Sequence, residues 1–153
     1  MRIRLAREED YVALARLHRT TIRRVNSKEY APDIIRVWSS KKSAKRFRDS
    51  APLCKRWVAV EKGKLVGFCD HNLTGELWGL YVHKDHLGTG VGSRLLKKAE
   101  ESMKKLGWKE VRLKSTITAK DFYRKHGYLV IRKALHDIRG TKVPVYIMKK
   151  NLT

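Results

Sequence analysis

The chain of 153 residues is long enough for one domain with its own hydrophobic core, and we expect that domain to span 1–153. No apolar run approaches the roughly 20 residues of a membrane-spanning helix, and the first residues show no signal-peptide pattern. Cys54 and Cys69 lack the spacing of a disulfide framework or a zinc site. These features exclude membrane-spanning and disulfide-stapled classes and predict a cytoplasmic protein.

Positive charge dominates the composition. Lysine and arginine number 36 against 15 aspartate and glutamate residues, a formal net charge of +21 at pH 7. The excess is spread along the chain, and its densest cluster is Lys41, Lys42, Lys45, Arg46, Arg48, Lys55 and Arg56. Such a field attracts polyanions and steers anionic ligands, although any one cluster can be a solvated surface. Glutamine is absent and asparagine is rare, which favours a thermophile source because these amides are thermolabile.

The first half of the chain alternates strand and helix patterns. The patterns predict a strand at Arg2–Leu5, a helix after Asp10, a helix starting near Pro32, a basic helical segment reaching Arg48, and a β-hairpin formed by 57–60 and 64–68.

A glycine run between a strand and a helix is the most informative segment. Residues 77–82 form an apolar run that predicts a strand covered on both faces. Gly88, Gly90 and Gly92 follow, and an apolar stripe then predicts a helix that Gly107 ends. Glycines at a helix start let the backbone approach a ligand, and the free N–H groups there suit a pyrophosphate. A turn that merely needs glycine is the simpler alternative.

Two familiar nucleotide motifs do not fit this run. A dinucleotide-binding GxGxxG motif would need glycine at the position of Ser93. A phosphate-binding Walker loop would end in GK[ST], whereas Gly92-Ser93-Arg94 stands here.

The remainder of the chain returns to strand patterns. The patterns predict a strand at 111–115, a short helix at 117–125, and strands at 128–132 and 143–148 joined by a polar loop that contains Gly140. This order of elements predicts an α+β fold with a mixed, largely antiparallel central sheet flanked by helices.

Two segments resemble signatures of the GNAT superfamily of N-acetyltransferases. Residues 87–92 resemble its motif A, R/Q-x-x-G-x-G/A, except that Leu87 replaces Arg or Gln. Residues 116–128 resemble its second signature, N-x-x-A-x-x-F-Y-x-K-x-G-F/Y, with Thr116 in place of Asn. The element order also matches, so the resemblance covers nearly the whole chain and implies a GNAT-type sheet.

The resemblance implies acetyl-CoA as the co-substrate and no metal. The implied coenzyme-binding residues are Leu80, Tyr81, Val82, Leu87, Gly88, Thr89, Gly90, Val91, Gly92, Ser93, Arg94 and Thr116. It further implies that a backbone N–H of 80–82 stabilises the oxyanion, where the central strand separates from its neighbour. His83 and His86 precede the glycines, but no third ligand at a known spacing completes a metal site.

Tyr123 is the predicted general acid for the departing thiolate. A phenol with a pKa of about 10 is protonated at neutral pH and close enough to a thiol's about 8.5 for proton transfer. The alternative is a core aromatic, and we expect its neighbour Phe122 to take that place because adjacent helical positions face differently. Glu76 opens the central strand eleven residues before Leu87, which is the spacing at which the histone-acetylating branch of the family has its base glutamate, so the resemblance implies Glu76 as the base for the amine. A solvated strand end, with a water chain as the base, is the alternative.

The resemblance, together with these residues, implies an acetyl-CoA-dependent N-acetyltransferase that transfers the acetyl group directly to a primary amine in a ternary complex. The high positive charge would repel lysine-rich tails, so an anionic amine acceptor is the hypothesis. The alternative function is a basic nucleic-acid-associated protein on the same scaffold, either an RNA-directed acetyltransferase or a non-catalytic binder. The oligomeric state is left open between monomer and homodimer.

Overall fold

A central β-sheet with helices on both faces forms the protein. The structure is a computed structural model that describes residues 1–39 and 43–152, so Lys41 and Lys42 of the basic cluster lie outside it. The sheet of the described residues has seven strands in the order β1-β2-β3-β4-β5-β7-β6. The strands are β1 Arg2–Leu5, β2 Cys54–Glu61, β3 Lys64–Asn72, β4 Glu76–Val82, β5 Glu110–Ser115, β6 Leu129–Ile138 and β7 Thr141–Asn151. The helices are α1 Tyr11–Arg24, α2 Pro32–Ser39, α3 Ala44–Ser50, α4 Val91–Lys105 and α5 Lys120–Lys125.

The sheet is mixed and largely antiparallel, which confirms the predicted fold class. Among the strands of the described residues, only β4 and β5 pair in parallel, because α4 crosses over the sheet between them. Within the described residues, no helix combines the length and the apolar character that crossing a lipid bilayer requires.

Side chains that alternate along β2 and β3 divide the core between the two faces of the sheet. Ala59 and Cys69 pack with the buried stripe of α4, which is Val91, Leu95, Leu96, Ala99 and Met103. Their chain neighbours Val58 and Phe68 pack with Leu14 and Leu17 of α1 and Phe47 of α3. The apolar stripe predicted for α4 is therefore confirmed, and it anchors the helix whose first turn follows the glycine run.

The β2–β3 and β6–β7 hairpins close through two-residue turns. Lys62 and Gly63 have positive φ values of 50° and 75°, which matches the twist of the predicted β2–β3 hairpin. Arg139 and Gly140 have φ values of 51° and 84° and join β6 to β7 directly. The polar loop predicted there is wrong, because the strands continue to Ile138 and Thr141. As the edge strand of the sheet, β6 is mostly exposed and lacks an apolar alternation to reveal it.

The centre of the sheet opens between β4 and β5. The two strands pair only at Glu76 with Arg112 and at Leu77 with Leu113. On the other side of β4, Asp70 faces Gly79 and His71 faces Leu77, so Trp78 forms a bulge. The N–H and C=O groups of β4 that point away from β3 therefore have no partner strand beyond Leu77.

This opening corrects one expectation for β4. The predicted coverage of both faces is wrong, because only Leu77 is fully buried and the Trp78 side chain is 41% exposed. Cavities on either side of the gap account for the incomplete burial.

Candidate active site

A narrow, mostly apolar cavity occupies the gap between β4 and β5. Its volume is about 190 Å³. Its walls are β4 from Leu77 to Val82, the end of α1, the end of β5 and the start of α5. Leu87 and Gly92 of the glycine run close one end. The cavity thus links the first turn of α4 to the unpaired edge of β4.

The glycine run leaves open space in front of the first turn of α4. Gly88 and Gly90 have φ values of 75° and 89°, and a Cβ atom at either position would meet no atom within 4 Å. The hydrogen bonds of the helix begin with the Arg94 N–H and the Gly90 carbonyl at 3.1 Å. The N–H groups of 91–93 therefore have no acceptor in the helix, and the positive end of the helix dipole adds to them. This arrangement fits an anion such as a diphosphate.

Gly92 instead allows the start of α4 to pack closely against Phe122 of α5. A Cβ atom at Gly92 would lie 3.3 Å from Cε1 of Phe122. Ser93 faces the same helix, because its Oγ lies 2.9 Å from Nε2 of His126, whose Nδ1 lies 2.8 Å from the Phe122 carbonyl oxygen. The start of α4 is thus fixed against α5.

The other predicted coenzyme residues differ in what they present to the cavity. The Val91 side chain is buried in the core, so only its backbone faces the open space. Leu87 and Arg94 are exposed, and the Thr89 hydroxyl donates to the His86 carbonyl. Thr116 lines the cavity, but its Oγ1 already accepts the Ala119 N–H at 3.1 Å. The side chain at the position of the family's Asn is therefore used to start α5.

Three buried polar atoms along this cavity have no hydrogen-bond partner among the described residues. They are Oγ1 of Thr21, Oδ1 of Asn26 and Oγ1 of Thr118. Burial of an unpaired polar atom is costly, so the cavity fits a ligand that brings its own amide or hydroxyl groups. Sequence reasoning missed these residues, because they come from elements far apart in the chain and no local pattern connects them.

Tyr123 and Phe122 both line the cavity, and Tyr123 is the more buried of the two. The Tyr123 side chain is 5% exposed and packs edge-on against Tyr128, with ring centroids 5.6 Å apart. The expectation that Phe122 takes the core position is wrong, since its ring is only partly buried and lies over Gly92 and His126. Burial raises the pKa of Tyr123 well above its ordinary value, and Cys69, Tyr81 and Asp70 add to the effect.

A second, larger cavity of about 610 Å³ lies on the other side of the gap. Its walls are α1 to α3, the sheet, and the tip of the β6–β7 hairpin. Both cavities share Leu77, Trp78, Gly79, Tyr81, Lys114 and Thr116. They therefore meet where β4 separates from β5.

Among the described residues, three carboxylates line the larger cavity, and one of them, Asp137 of the β6–β7 hairpin, is paired with Lys142. Glu76 is half-buried at the start of β4. Asp70 is 6% exposed, and its Oδ2 accepts from Nε of Arg56 at 2.9 Å. Burial raises the pKa of Asp70, and the Arg56 guanidinium partly offsets that rise.

Sequence reasoning missed Asp70 and misplaced Arg56. The available signal was a lone acidic residue at the end of the apolar run 65–69. Arg56 was assigned to the exposed basic cluster, but it is 6% exposed because it is paired with Asp70.

The histidines before the glycine run have local partners. Nδ1 of His83 accepts the Asp85 N–H at 3.1 Å, and Nε2 of His86 lies 3.3 Å from a carboxylate oxygen of Glu61. In the part of the chain that the structure describes, no three His, Cys, Asp or Glu side chains are grouped as metal ligands would be.

Comparisons with known proteins agree with this fold. The sequence model of the acetyltransferase (GNAT) family matches residues 13–128. YafP of Escherichia coli (strain K12), an uncharacterised N-acetyltransferase, is 24% identical over 149 residues, which cover 97% of this chain and 95% of YafP.

Solved structures share the whole architecture. A GCN5-related N-acetyltransferase from Rhodopseudomonas palustris superposes with a TM-score of 0.92 at 23% identity, covering 99% of this chain and 95% of that one. The PaiA N-acetyltransferase from Thermoplasma acidophilum, solved in complex with coenzyme A, superposes with a TM-score of 0.79 at 25% identity and covers 99% of both chains. With a family match across most of its length and a sheet of the same topology, this chain belongs to the acetyltransferase (GNAT) family and is an acyltransferase.

Proposed function

We propose that the protein is an acetyl-CoA-dependent N-acetyltransferase that transfers the acetyl group directly to an amine in a ternary complex. The observation that carries the proposal is the meeting of two cavities at the gap between β4 and β5. A coenzyme arm and an acceptor can approach that gap from opposite sides, so no acyl-enzyme intermediate is needed.

The narrow cavity is the proposed site of the pantetheine arm. The diphosphate would lie on the N–H groups at the start of α4, beside Gly88 and Gly90. The arm would pair with the unpaired edge of β4, and the orphaned atoms of Thr21, Asn26 and Thr118 would meet its amide and hydroxyl groups. Coenzyme A in the PaiA structure supports the assignment, since that chain has the same fold.

In the proposed reaction the amine nitrogen attacks the thioester carbonyl carbon and a C–N bond forms. The oxyanion accepts a hydrogen bond from a backbone N–H of 80–82, on the unpaired edge of β4. The C–S bond then breaks, and the coenzyme thiolate takes a proton from the phenol of Tyr123. The proton lost by the amine passes to a carboxylate of the larger cavity, directly or through water. Glu76 is the candidate that the sequence supplies.

The burial of Tyr123 refines its proposed role. Its raised pKa keeps the phenol protonated throughout the neutral range, so the hydroxyl is always available as a donor. Complete proton transfer to a thiolate with a pKa of about 8.5 is then less favourable than for a phenol of pKa about 10. The main contribution of Tyr123 is therefore a hydrogen bond that strengthens as negative charge develops on sulfur.

The acceptor proposed for the larger cavity is an amine that also carries an anionic group. Arg46 and Lys114 bring positive charge to its walls, and the rings of Trp38, Phe47 and Phe68 provide apolar surface. The carboxylates of Asp70 and Glu76 face the amine end. Such a cavity would draw in a zwitterionic or acidic amine and repel a polycation.

Two measurements test the proposal. Calorimetry should detect coenzyme A binding, and acetyl-CoA thiol release should depend on an amine from a panel of acidic amines, amino acids, polyamines and aminoglycosides. An acidic or zwitterionic amine should give the highest kcat/KM. Absence of coenzyme A binding would contradict the proposed function, whereas polyamines outperforming acidic amines would contradict only the proposed acceptor class.

A further inference from the structure

Asp70 lies beside the point where the two cavities meet. It faces Gly79 across the β3–β4 pairing, and Gly79 is the first residue after the Trp78 bulge. The Asp70 side chain is 6% exposed and lines the larger cavity. Gly79 and Tyr81 line both cavities, so Asp70 adjoins the part of β4 that separates them.

The two oxygens of Asp70 have different surroundings. Oδ2 accepts from Nε of Arg56 at 2.9 Å. The other Arg56 nitrogens donate to the Phe47 carbonyl at 3.1 Å and to Oγ of Ser50 at 2.9 Å, so the guanidinium is held in place. A Cβ atom built on Gly79 would lie 3.3 Å from Oδ1. Glycine at this position therefore lets β4 approach Oδ1 closely, and the backbone N–H groups of Gly79 and of Asp70 itself also donate to the carboxylate.

Glu76 lies farther than Asp70 from the part of β4 where the two cavities meet. It precedes the separation of β4 from β5, since it still faces Arg112 in the paired part of the two strands. Both carboxylates line the larger cavity and not the narrow one, so the difference between them lies in their positions along the sheet. Asp70 instead faces Gly79, in the part of β4 that has separated from β5 and lines both cavities. The acid and the base of one transfer must flank the same thioester, and the separated part of β4, which Asp70 faces, is where the thioester is proposed to lie.

We infer that Asp70 is the general base that accepts the proton of the acceptor amine, with Arg56 holding its carboxylate in position. This inference rests on the proposed acetyltransferase function. Oδ1 takes a proton from the bound ammonium group, and the lone pair that this frees forms the C–N bond. The C–S electron pair then leaves on sulfur, which Tyr123 stabilises with a hydrogen bond, and the second proton of the nitrogen passes to the sulfur through water. Asp70 afterwards returns its proton to solvent through the larger cavity.

The protonation of Asp70 is set by the groups around it. Those facing the same cavity are Arg56 of β2, Glu76 and Tyr81 of β4, His18 of α1, Arg46 of α3, Lys114 of β5, and His136, Asp137 and Arg139 of the β6–β7 hairpin. Burial raises the pKa of Asp70 and Arg56 opposes the rise. The base is active only when ionised, so kcat/KM should fall as the pH drops through that raised pKa.

The test is Asp70→Asn, which keeps the shape and an acceptor for Arg56. We expect kcat/KM at pH 7 to fall by about 100-fold or more, the usual contribution of a general base. The shape of the pH profile should also change. The variant's rate should rise about tenfold per pH unit toward the pKa of the amine, because only free amine then reacts, whereas the wild-type rate levels off above the pKa of Asp70. A purely structural role would lower the rate equally at every pH.

Three further variants complete the experiment. Asp49→Asn removes the same charge from an exposed residue of α3 outside both cavities and should keep the wild-type profile. Glu76→Gln should lose less activity than Asp70→Asn. Arg56→Gln combined with Asp70→Asn removes the buried pair together, which avoids an isolated buried guanidinium if the single variant unfolds. Coenzyme A affinity and melting temperature are measured for each.

The outcomes separate this inference from the function on which it rests. The inference is supported if folded Asp70→Asn, or the double variant Arg56→Gln with Asp70→Asn, keeps its coenzyme A affinity and its kcat/KM no longer levels off at high pH. An active wild-type enzyme whose Asp70 variants keep its rate and profile, or lose less than Glu76→Gln, overturns the inference and leaves the proposed function intact. A wild-type protein without coenzyme A binding overturns both.

Discussion

At the scale of single residues, the Tyr123 phenol lies with its ring in the core and lines the narrow cavity. We expect Tyr123→Phe to lower kcat by about 100-fold or more, because the leaving thiolate loses its donor, while coenzyme A affinity stays the same. Stopped-flow or plate-based thiol release measures this. Tyr11→Phe is the matched control, since Tyr11 is half-buried and lines neither cavity. A Tyr123→Phe enzyme with full kcat would remove the acid from the mechanism.

A second prediction at this scale concerns Asp10, which begins α1 but does not cap it with its side chain. The carboxylate instead accepts from the Arg4 guanidinium at 2.7 Å and 3.0 Å and from the Arg7 N–H at 2.7 Å. Arg4 lowers the pKa of Asp10 below 3.8, and burial partly opposes this. Because the folded pKa is the lower one, the stabilisation is present above about pH 4 and is lost as the pH falls through the folded pKa.

Asp10→Asn should therefore reduce the free energy of unfolding by about 1.5–3 kcal/mol at pH 7 and by progressively less below pH 4. Urea titrations at several pH values measure it. Asp49→Asn breaks the exposed pair with Lys45 and should cost about 0.5 kcal/mol or less at pH 7. Equal losses for the two variants, or a loss at Asp10 that is independent of pH, would contradict this account.

At the scale of elements, two glycine variants separate the proposed binding of the diphosphate at the start of α4 from the general cost of backbone strain. Gly90 and Gly140 have similar φ values of 89° and 84°, and a Cβ atom at either meets nothing within 4 Å. Gly90→Ala and Gly140→Ala should each destabilise the fold by about 1–2 kcal/mol, because alanine is strained at positive φ. Only Gly90→Ala should weaken coenzyme A binding, by about tenfold, since it distorts the N–H groups proposed to hold the diphosphate.

Calorimetry with coenzyme A and urea titration measure the two effects independently. Weaker binding in both variants would mean that lost stability, and not the glycine run, controls affinity. Unchanged binding in Gly90→Ala would contradict the diphosphate assignment.

At the scale of the whole molecule, the net charge of +21 distinguishes the two candidate functions. If the field only steers anionic ligands, coenzyme A association should slow as salt rises, and RNA or DNA should not bind in moderate salt. If the protein is a nucleic-acid binder, the affinity should follow a steep log–log dependence on salt concentration. Fluorescence anisotropy with a labelled RNA and stopped-flow binding of coenzyme A measure both quantities. Tight RNA binding in moderate salt would contradict the enzyme-only reading.

Local sequence determined a large part of this protein. The stripe 91, 95, 99 and 103 defines the buried face of α4 because helix periodicity places those positions together. Gly88, Gly90 and Gly92 indicate a segment whose backbone can approach a ligand or another helix closely. Positive φ at the first two positions and tight packing at the third both favour glycine. The β2–β3 hairpin and the mixed sheet also follow from the order of the patterns. The helix stripe, the glycine run and the hairpin depend on residues close in sequence.

The tertiary structure alone decided the rest. The opening of β4 from β5 follows from pairing between residues 36 positions apart in the chain, such as Glu76 and Arg112, which no local pattern encodes. The sequence predicts that Arg56 belongs to the charged surface, but the fold buries it against Asp70. The sequence also predicts that Phe122 is more buried than Tyr123, whereas the orientation of α5 places Tyr123 in the core. Thr21, Asn26 and Thr118 come together for the same reason. Burial, pairing and orphaned polar atoms are properties of contacts, and contacts between distant segments exist only once the chain has folded.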